Sequence, residues 1–147
     1  MKKFIFFLLI SCSLQNSHAK EPLESLKYKR DLIRYSRVTW GMNAPIALFA
    51  SQIHQESSWN YLAKSQYASG LSQFTWKTAE WIIDIYPELE KANVFNPIWS
   101  IRAMLLYNQW LDARISSADQ CEQWAMVLSS YNGGLNWLKK DKLLSKA

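Results

Sequence analysis

The stretch HQESSWNYLAKSQYASGLSQFTWKTA, residues 54–79, decides how this 147-residue sequence is interpreted. It places one carboxylate, Glu56, at the end of an apolar segment with helical spacing, residues 45–53. A polar loop follows, and the turn Gly70-Leu71-Ser72-Gln73-Phe74 leads into a second helical segment. A carboxylate between a packed helix and a substrate-sized loop is an arrangement suited to a general acid. The alternative for Glu56 is a structural carboxylate held by an ion pair or by backbone N–H groups.

Apolar residues recur at three- and four-residue intervals through most of the chain, which predicts helices. The predicted helices cover residues 22–38, 45–56, 75–86, a long segment from Asn96-Pro97 to Ile115, residues 119–132 and residues 135–144. The long segment is predicted to be the central buried helix. Because no segment alternates as a strand would, we predict an all-α domain with little or no sheet.

Two finer predictions concern the first half of the chain. In the first helix, Leu23, Leu26 and Ile33 are predicted to form the side that packs on the domain. In the next, Asn43 is predicted to be the N-cap, with Pro45 in the first turn, where its missing N–H costs nothing. These predictions fix which faces of the two helices meet the core.

Length and composition favour one globular domain. At 147 residues the chain has no room for two full cores, and 49% hydrophobic with 20% charged residues is typical of a folded protein. Eight Trp and seven Tyr are many for this length. Most are predicted to lie in the core, but aromatic faces also line sugar-binding clefts, so some are candidates for a groove.

The first 19 residues are predicted to be a signal peptide, since Met1-Lys2-Lys3 precedes an apolar run, residues 4–10, too short to span a bilayer. Two cleavage sites remain open. One follows Ala19 and leaves residues 20–147 as the mature domain; the other is a lipoprotein box that leaves an acylated Cys12. A buried helix of the domain is the third alternative. Export would place the protein in the periplasm, and a lipid at Cys12 would be its one membrane anchor.

Metal, cofactor and nucleic-acid functions find no support in the motifs. The sequence contains no CxxC, HExxH, EF-hand or phosphate-binding glycine loop, so we predict no metal and no cofactor. Without the leader the formal charge falls from +5 to +3, which is too weakly basic to predict nucleic-acid binding. Cys121, following Asp119 at the start of an apolar helix, is predicted to be a buried structural thiol.

The motifs occur in an order that resembles the lytic transglycosylases. The matching residues are Glu56-Ser57, Ala63, Ser65, Gly70-Leu71 with Gln73, Thr78-Ala79, Asn96-Pro97, Ile101, Tyr107 and Tyr131-Asn132-Gly133-Gly134. The resemblance covers about residues 44–137 and implies a lysozyme-like helical domain with a cleft. The chain departs from the family at Ser72, where Met is frequent, at Trp76, where Pro is frequent, and at Ser100, where Asn is frequent.

The resemblance also implies a function. Such enzymes cleave the MurNAc–GlcNAc β-1,4 bond of peptidoglycan without water and leave a 1,6-anhydroMurNAc end. Glu56 is then the catalytic acid, expected to have a raised pKa, and Ser65, Gln73, Tyr131 and Asn132 are expected to bind substrate or surround the acid. A small exported domain of this kind resembles enzymes that open the wall for a secretion or conjugation apparatus, or those encoded by phages.

Two other functions remain open. A goose-type-like muramidase would hydrolyse the same bond and would require a further carboxylate to position water. A non-catalytic wall-binding module would keep the fold without turnover. The nearest acids in sequence to Glu56, Asp31 and Asp84, lie in no motif that resembles a nucleophile. A single-acid mechanism is therefore the simplest interpretation.

Overall fold

Helices dominate the computed structural model, which describes residues 22–144. The helices are α1 (Leu23–Leu26), α2 (Lys29–Trp40), α3 (Ile46–Ser57), α4 (Trp76–Ile85), α5 (Pro97–Asp112), α6 (Gln120–Gly133) and α7 (Leu135–Leu144), with a short 3-10 helix at Pro87–Leu89. Within residues 22–144 there is no strand, although two isolated β-bridges, Lys64 to Ser69 and Ser69 to Phe74, shape the loop before α4. The predicted all-α fold is confirmed. The predicted leader, residues 1–19 with Cys12, lies outside the described residues.

The helix α5 is the centre of the fold, as the sequence predicted. Asn96 caps it by accepting hydrogen bonds from the backbone N–H groups of Ile98 and Trp99, and Pro97 occupies its first turn. It packs against both α2 and α6. Among its fully buried side chains are Ile101, Ala103, Met104, Leu105, Asn108 and Leu111. A helix buried on nearly all sides fixes the positions of the elements around it.

Buried hydrogen bonds hold α3 and α2 on this central helix. The Asn108 amide of α5 donates to Gln52 Oε1 of α3 across 2.7 Å, and the Trp40 indole donates to the Leu105 carbonyl across 3.2 Å. On α3, Phe49 and Ile53 are fully buried, which confirms the predicted core-facing stripe at these two positions. Since Glu56 follows Ile53 by three residues, it lies on the same inward side of the helix.

The predicted packing side of the first helix is wrong. The chain forms two helices there, and Leu23 and Leu26 are 71% and 50% exposed, while Ile33 is half-buried. The side that meets the core is a different one: Ser25, Tyr28, Leu32 and Ser36 are buried and recur at three- and four-residue spacing through both helices.

The predicted cap of α3 is also wrong. The helix begins at Ile46, and Pro45 rather than Asn43 occupies the N-cap position, without a side-chain capping bond. A cap at Asn43 would require Ala44 to be helical, and the ring of a following proline disfavours that conformation. Asn43 lies instead in a turn closed by the Ala44 N–H donating to the Gly41 carbonyl.

Cys121 is exposed, which corrects the prediction of a buried thiol. It lies in the first turn of α6, after the N-cap Asp119, whose side chain accepts from the Glu122 N–H. The fully buried residues of α6, Val127 and Ser130, lie further along the helix. No helix within residues 22–144 is both long and apolar enough to cross a membrane.

Candidate active site

Glu56 lies in the last turn of α3, on its inward side, and is half-buried. The helix ends at Ser57, and the chain turns sharply at the next two residues, with positive φ at both Ser58 (50°) and Trp59 (69°). Trp59 is buried and stacks on Tyr28 with ring centroids 6.4 Å apart, which anchors the segment that follows the acid. The acid is therefore held by a packed helix on one side and a fixed turn on the other.

The surroundings of Glu56 favour its protonated form. Burial raises the pKa of this carboxyl above the ordinary glutamate value, and a hydrogen bond from the Asn132 side chain lowers it by less. The dipole of α3 also disfavours an anion at this end of the helix. The expected raised pKa of Glu56 thus agrees with its environment, and the cause is the loss of water around the carboxylate.

Two hydrogen bonds join the turn at residues 70–74 to the acid's helix, α3, and to the end of α6. The hydroxyl of Ser57 donates to the Leu71 carbonyl across 2.7 Å, and the hydroxyl of Tyr131 donates to the Ser72 carbonyl across 2.7 Å. Consecutive carbonyls of one turn are thereby bonded to α3 and to α6. Ser57 was part of the quoted motif but had no role assigned from sequence; its role here is to fix the turn beside Glu56.

Tyr131 is close enough to Glu56 for their charges to interact. Burial, together with the nearby charge of Glu56 and then Tyr107, raises the pKa of Tyr131 well above its ordinary value. Its ring packs against Phe74 and Tyr107, with centroids 5.7 and 5.3 Å away. The phenol therefore stays protonated and acts as a donor, and its partner is the Ser72 carbonyl rather than the carboxylate.

Ser65 and Gln73, expected to bind substrate, are used inside the loop before α4. The Ser65 hydroxyl accepts from the N–H groups of Tyr67 and Ala68, which closes a tight exposed turn. The Gln73 amide donates to the carbonyls of Gly70 (2.9 Å) and Ala63 (3.3 Å). Both side chains shape the loop, whereas Tyr131 and Asn132 are the expected site residues brought next to Glu56.

The departures at Ser72 and Ser100 lie against each other. Both serines are fully buried; the Ser72 hydroxyl donates to the Ser100 carbonyl (3.2 Å), and the Ser100 hydroxyl lies 3.4 Å from the Ser72 nitrogen. The Ser100 hydroxyl also lies 3.3 Å from the Val94 carbonyl. The turn at residues 70–74 is thus bonded to the start of α5. The sequence did contain a signal for this contact: Ser72 and Ser100 both depart from the residues that are frequent in the family.

The described part of the chain offers no second ionised group at the acid. Among the side chains that the structure describes, which leave out those of residues 139 and 141–144, no carboxylate shifts the pKa of Glu56. No cluster of three or more His, Cys, Asp or Glu among the same side chains has the arrangement of a metal site. The chemistry available at this site is therefore that of one carboxylic acid with amide and hydroxyl neighbours.

The fold and the site define a helical domain built around one half-buried acid, and comparison with known families identifies its class. A model of the transglycosylase SLT domain matches residues 36–147. The chain therefore belongs to the transglycosylase SLT family, whose lysozyme-like helical domains are lytic transglycosylases that act on peptidoglycan. The resemblance stated from the motifs is confirmed, and a peptidoglycan substrate implies an extracytoplasmic location. Among curated proteins and solved structures, the comparisons found no match.

Proposed function

We propose that this protein cleaves the β-1,4 bond between MurNAc and GlcNAc in peptidoglycan and leaves a 1,6-anhydroMurNAc end, with Glu56 as its single acid and base. The observation that carries this proposal is the half-buried carboxyl of Glu56, whose pKa burial raises, inside a domain of the transglycosylase family. Glu56 lies where α3, the turn at residues 70–74 and α6 meet, and in this proposal the glycan strand contacts the carboxyl there.

The reaction divides into two proton transfers at Glu56. First, the carboxylic acid gives its proton to the glycosidic oxygen as the bond from MurNAc C1 to that oxygen breaks, and GlcNAc leaves with a free 4-hydroxyl. Then the carboxylate takes the proton of the C6 hydroxyl of the same MurNAc, and O6 bonds to C1. No water enters, and Glu56 returns to its acid form. An attacking group on the same sugar has a high effective concentration, which replaces a second carboxylate.

The neighbours of Glu56 suit both of its protonation states. Burial favours the acid form needed for the first step, and the Asn132 hydrogen bond favours the carboxylate needed for the second. Tyr131 keeps the turn at residues 70–74 in place by its bond to the Ser72 carbonyl. In this proposal Ser65 and Gln73 order the loop that receives the sugar chain, and Tyr131 and Asn132 border the reacting MurNAc.

A muramidase that uses water is the competing activity. It would require a further carboxylate near the scissile bond, and such a charge beside Glu56 would itself raise the pKa of that acid. Among the described side chains of residues 22–138, burial accounts for the raised pKa of Glu56 and no acidic neighbour contributes. This favours the single-acid reaction over hydrolysis.

The product of one digestion separates the two activities. Purified sacculi treated with this protein are expected to release fragments that end in 1,6-anhydroMurNAc, each lighter by one water than the hydrolysis product, as measured by mass spectrometry. Fragments with reducing MurNAc ends would assign hydrolysis and contradict the proposal. A muramidase digest of the same sacculi supplies the reference masses.

The pH dependence of the rate should follow the protonation of Glu56. Because the acid form donates the first proton, kcat/KM falls as the pH rises through the pKa of Glu56 in the folded enzyme. Burial raises this pKa, so the fall is expected above about 4.3, the ordinary glutamate value. In Asn132→Ala, which lacks the hydrogen bond that lowers this pKa, the fall is expected at a higher pH still. A fall centred at the ordinary value in the parent enzyme would contradict the role of Glu56.

The cellular role is proposed from the sequence. We infer that the basic start and apolar run at residues 1–10 direct export to the periplasm, either with cleavage after Ala19 or with a lipid on Cys12. Local wall opening for a secretion or conjugation apparatus, or for a phage, is the role that fits a small exported enzyme. Mass analysis of the mature N-terminus, purified from the cell envelope, distinguishes the two forms of processing.

A further inference from the structure

One side of α1 and α2 faces the solvent along both helices. Its exposed residues recur at three- and four-residue intervals: Leu23, Leu26, Arg30, Arg34 and Arg37. The buried residues of the two helices keep the same spacing across the short turn between them, so the exposed ones also stay on one side. Two leucines and three arginines therefore form a continuous surface, which we name the leucine–arginine stripe.

The net positive charge of the domain is concentrated in the segment that carries this stripe. Residues 22–40 contain five basic and two acidic residues, whereas residues 41–147 contain nine of each. The formal excess of three positive charges in the folded domain thus comes from α1 and α2. Positive charge gathered on one face, rather than spread over the surface, draws an anionic partner to that face.

Nearby carboxylates do not neutralise the three arginines. Among the described side chains, no carboxylate lies within ion-pair distance of any of them. Glu24 is paired with Lys27 instead, and Asp31 is half-buried. The Arg34 guanidinium lies 5.4 Å from the centre of the Tyr35 ring, a contact that leaves its charge in place. The stripe is therefore a cationic surface in the free protein.

The two leucines indicate which kind of anionic partner fits the stripe. Leu23 is 71% exposed and Leu26 is 50% exposed, so much of their apolar area lies in water. A bilayer surface offers anionic phosphates to arginines and, next to them, an acyl boundary into which leucines can insert. Glycan strands and stem peptides are hydrated polymers and have no such apolar layer. The combination of side chains favours a lipid surface.

The position of the stripe in the chain favours the same partner. The stripe begins directly after Pro22, the first described residue, and the 21 residues before Pro22 carry the predicted export signal. A lipid on Cys12 would hold Leu23 within about 40 Å of the membrane, since an extended chain spans about 3.3–3.6 Å per residue. The stripe is therefore at the end of the domain that export places nearest to the bilayer.

We propose that the leucine–arginine stripe docks the exported domain on the surface of a bilayer that contains anionic phospholipid. The three arginines pair with lipid phosphates, which suit the guanidinium group because it donates two parallel hydrogen bonds. The two leucines insert at the acyl boundary. Docking of this kind goes beyond the proposed reaction and does not depend on how Glu56 acts.

The test measures co-sedimentation with lipid vesicles of the chain that begins at Lys20. This chain contains every residue that the structure describes. One set of vesicles is phosphatidylcholine alone, and the other includes phosphatidylglycerol at about a third of the lipid. The parent chain is expected to bind the anionic vesicles at least about tenfold more tightly, with a difference that shrinks as salt is added.

Two variants examine the two halves of the stripe. The triple variant Arg30→Glu, Arg34→Glu, Arg37→Glu is expected to weaken binding to anionic vesicles about 100-fold or more, since each arginine at such a surface contributes about fivefold. The double variant Leu23→Ser, Leu26→Ser should weaken this binding about fivefold. The loss from the leucines should persist in high salt, because it arises from apolar area rather than charge.

The matched control reverses the charge of three exposed lysines outside the stripe, in the triple variant Lys77→Glu, Lys91→Glu, Lys140→Glu. It changes the net charge by the same amount but should weaken vesicle binding by less than about tenfold, since these charges are away from the docking face. Equal losses in the two triple variants would overturn the proposal. An unchanged affinity in the leucine variant, or equal binding of the parent to both sets of vesicles, would also overturn it.

Sacculi freed of lipid distinguish a bilayer from the wall as the partner of the stripe. The arginine variant should bind and cleave them as well as the lysine variant does, because the stripe contains none of the residues placed at the active site. A loss of sacculus binding without a loss of vesicle binding would assign the stripe to the wall polymer and contradict the proposal. Vesicle binding involves no turnover, so its failure is distinguishable from failure of the proposed reaction.

Discussion

Glu56→Gln is expected to abolish wall cleavage, with kcat/KM on sacculi reduced by about 10²–10⁴-fold. Glutamine keeps the shape of the side chain and can still hydrogen-bond Asn132, but it cannot donate a proton to the glycosidic oxygen or accept one from the C6 hydroxyl. Since one residue performs both transfers in the proposed mechanism, no second group is left to carry either step. The measurement is release of soluble fragments from purified sacculi, with binding to the same sacculi as a second readout.

The matched control is Glu80→Gln, which removes a negative charge from an exposed position on α4 and should retain full activity. Binding by Glu56→Gln should persist, which distinguishes lost chemistry from lost recognition. If the Glu56→Gln protein cleared sacculi as fast as the Glu80→Gln protein, the catalytic assignment would be wrong.

Stability gives an independent check on the environment of Glu56. A carboxyl whose pKa is raised in the folded state contributes stability that is fully present below the unfolded pKa and is lost as the pH rises through the folded value. At neutral pH the desolvated carboxylate therefore opposes folding. Glu56→Gln removes that opposition, so the variant should unfold at an equal or higher urea concentration than the parent.

Sequence pattern predicted the helices well where the apolar period was long. The stripe through Phe49 and Ile53 extended to Glu56, and the spacing after Asn96-Pro97 correctly identified the central helix. Both segments bury a regular face, so periodicity and packing give the same answer. This is also why the position of the acid followed from sequence.

Pattern was less informative at the start of the described chain and at the start of α3. Leu23 and Leu26 are exposed, and the buried side of α1 and α2 includes the serines at residues 25 and 36, which a search for apolar residues does not select. The proline at residue 45 kept Ala44 out of the helix and excluded Asn43 as the cap. The effect of Pro45 is local and steric, and it could have been derived from the Ala44-Pro45 pair.

The partners of the loop side chains were not predictable from motif alone. Gln73 has a positive φ of 48°, which turns its amide back onto the Gly70 and Ala63 carbonyls. Ser72 and Ser100 are 28 residues apart in sequence and meet because the turn at residues 70–74 docks on the start of α5. Such contacts depend on the path of the backbone through the loop. Short polar segments have no regular spacing of apolar residues from which that path could be predicted.

Gly70→Ala is expected to cause the largest loss of stability, about 4 kcal/mol or more. Gly70 has φ +83°, and a Cβ built there would overlap the Val94 carbonyl oxygen and lie 2.7 Å from the Val94 carbonyl carbon. The positive φ alone costs a residue with a side chain about 1–3 kcal/mol. The overlap adds to this because the Val94 backbone would have to move, and the Ser100 hydroxyl bonds the same carbonyl.

The Gly41→Ala variant separates the cost of the positive φ from the cost of the overlap with Val94. Gly41 has a similar φ of +79°, but a Cβ there would meet no atom within 4 Å, so its substitution should cost only the conformational term. Urea unfolding followed by tryptophan fluorescence should give a much lower midpoint for Gly70→Ala than for Gly41→Ala, or no folded protein at all. Equal midpoints would mean that the turn at residues 70–74 does not dock on residue 94.

The same turn accepts the hydrogen bonds of Ser57 and Tyr131, so its displacement should also affect activity. Gly70→Ala should reduce sacculus cleavage under conditions in which the variant remains folded, whereas Gly41→Ala should retain cleavage.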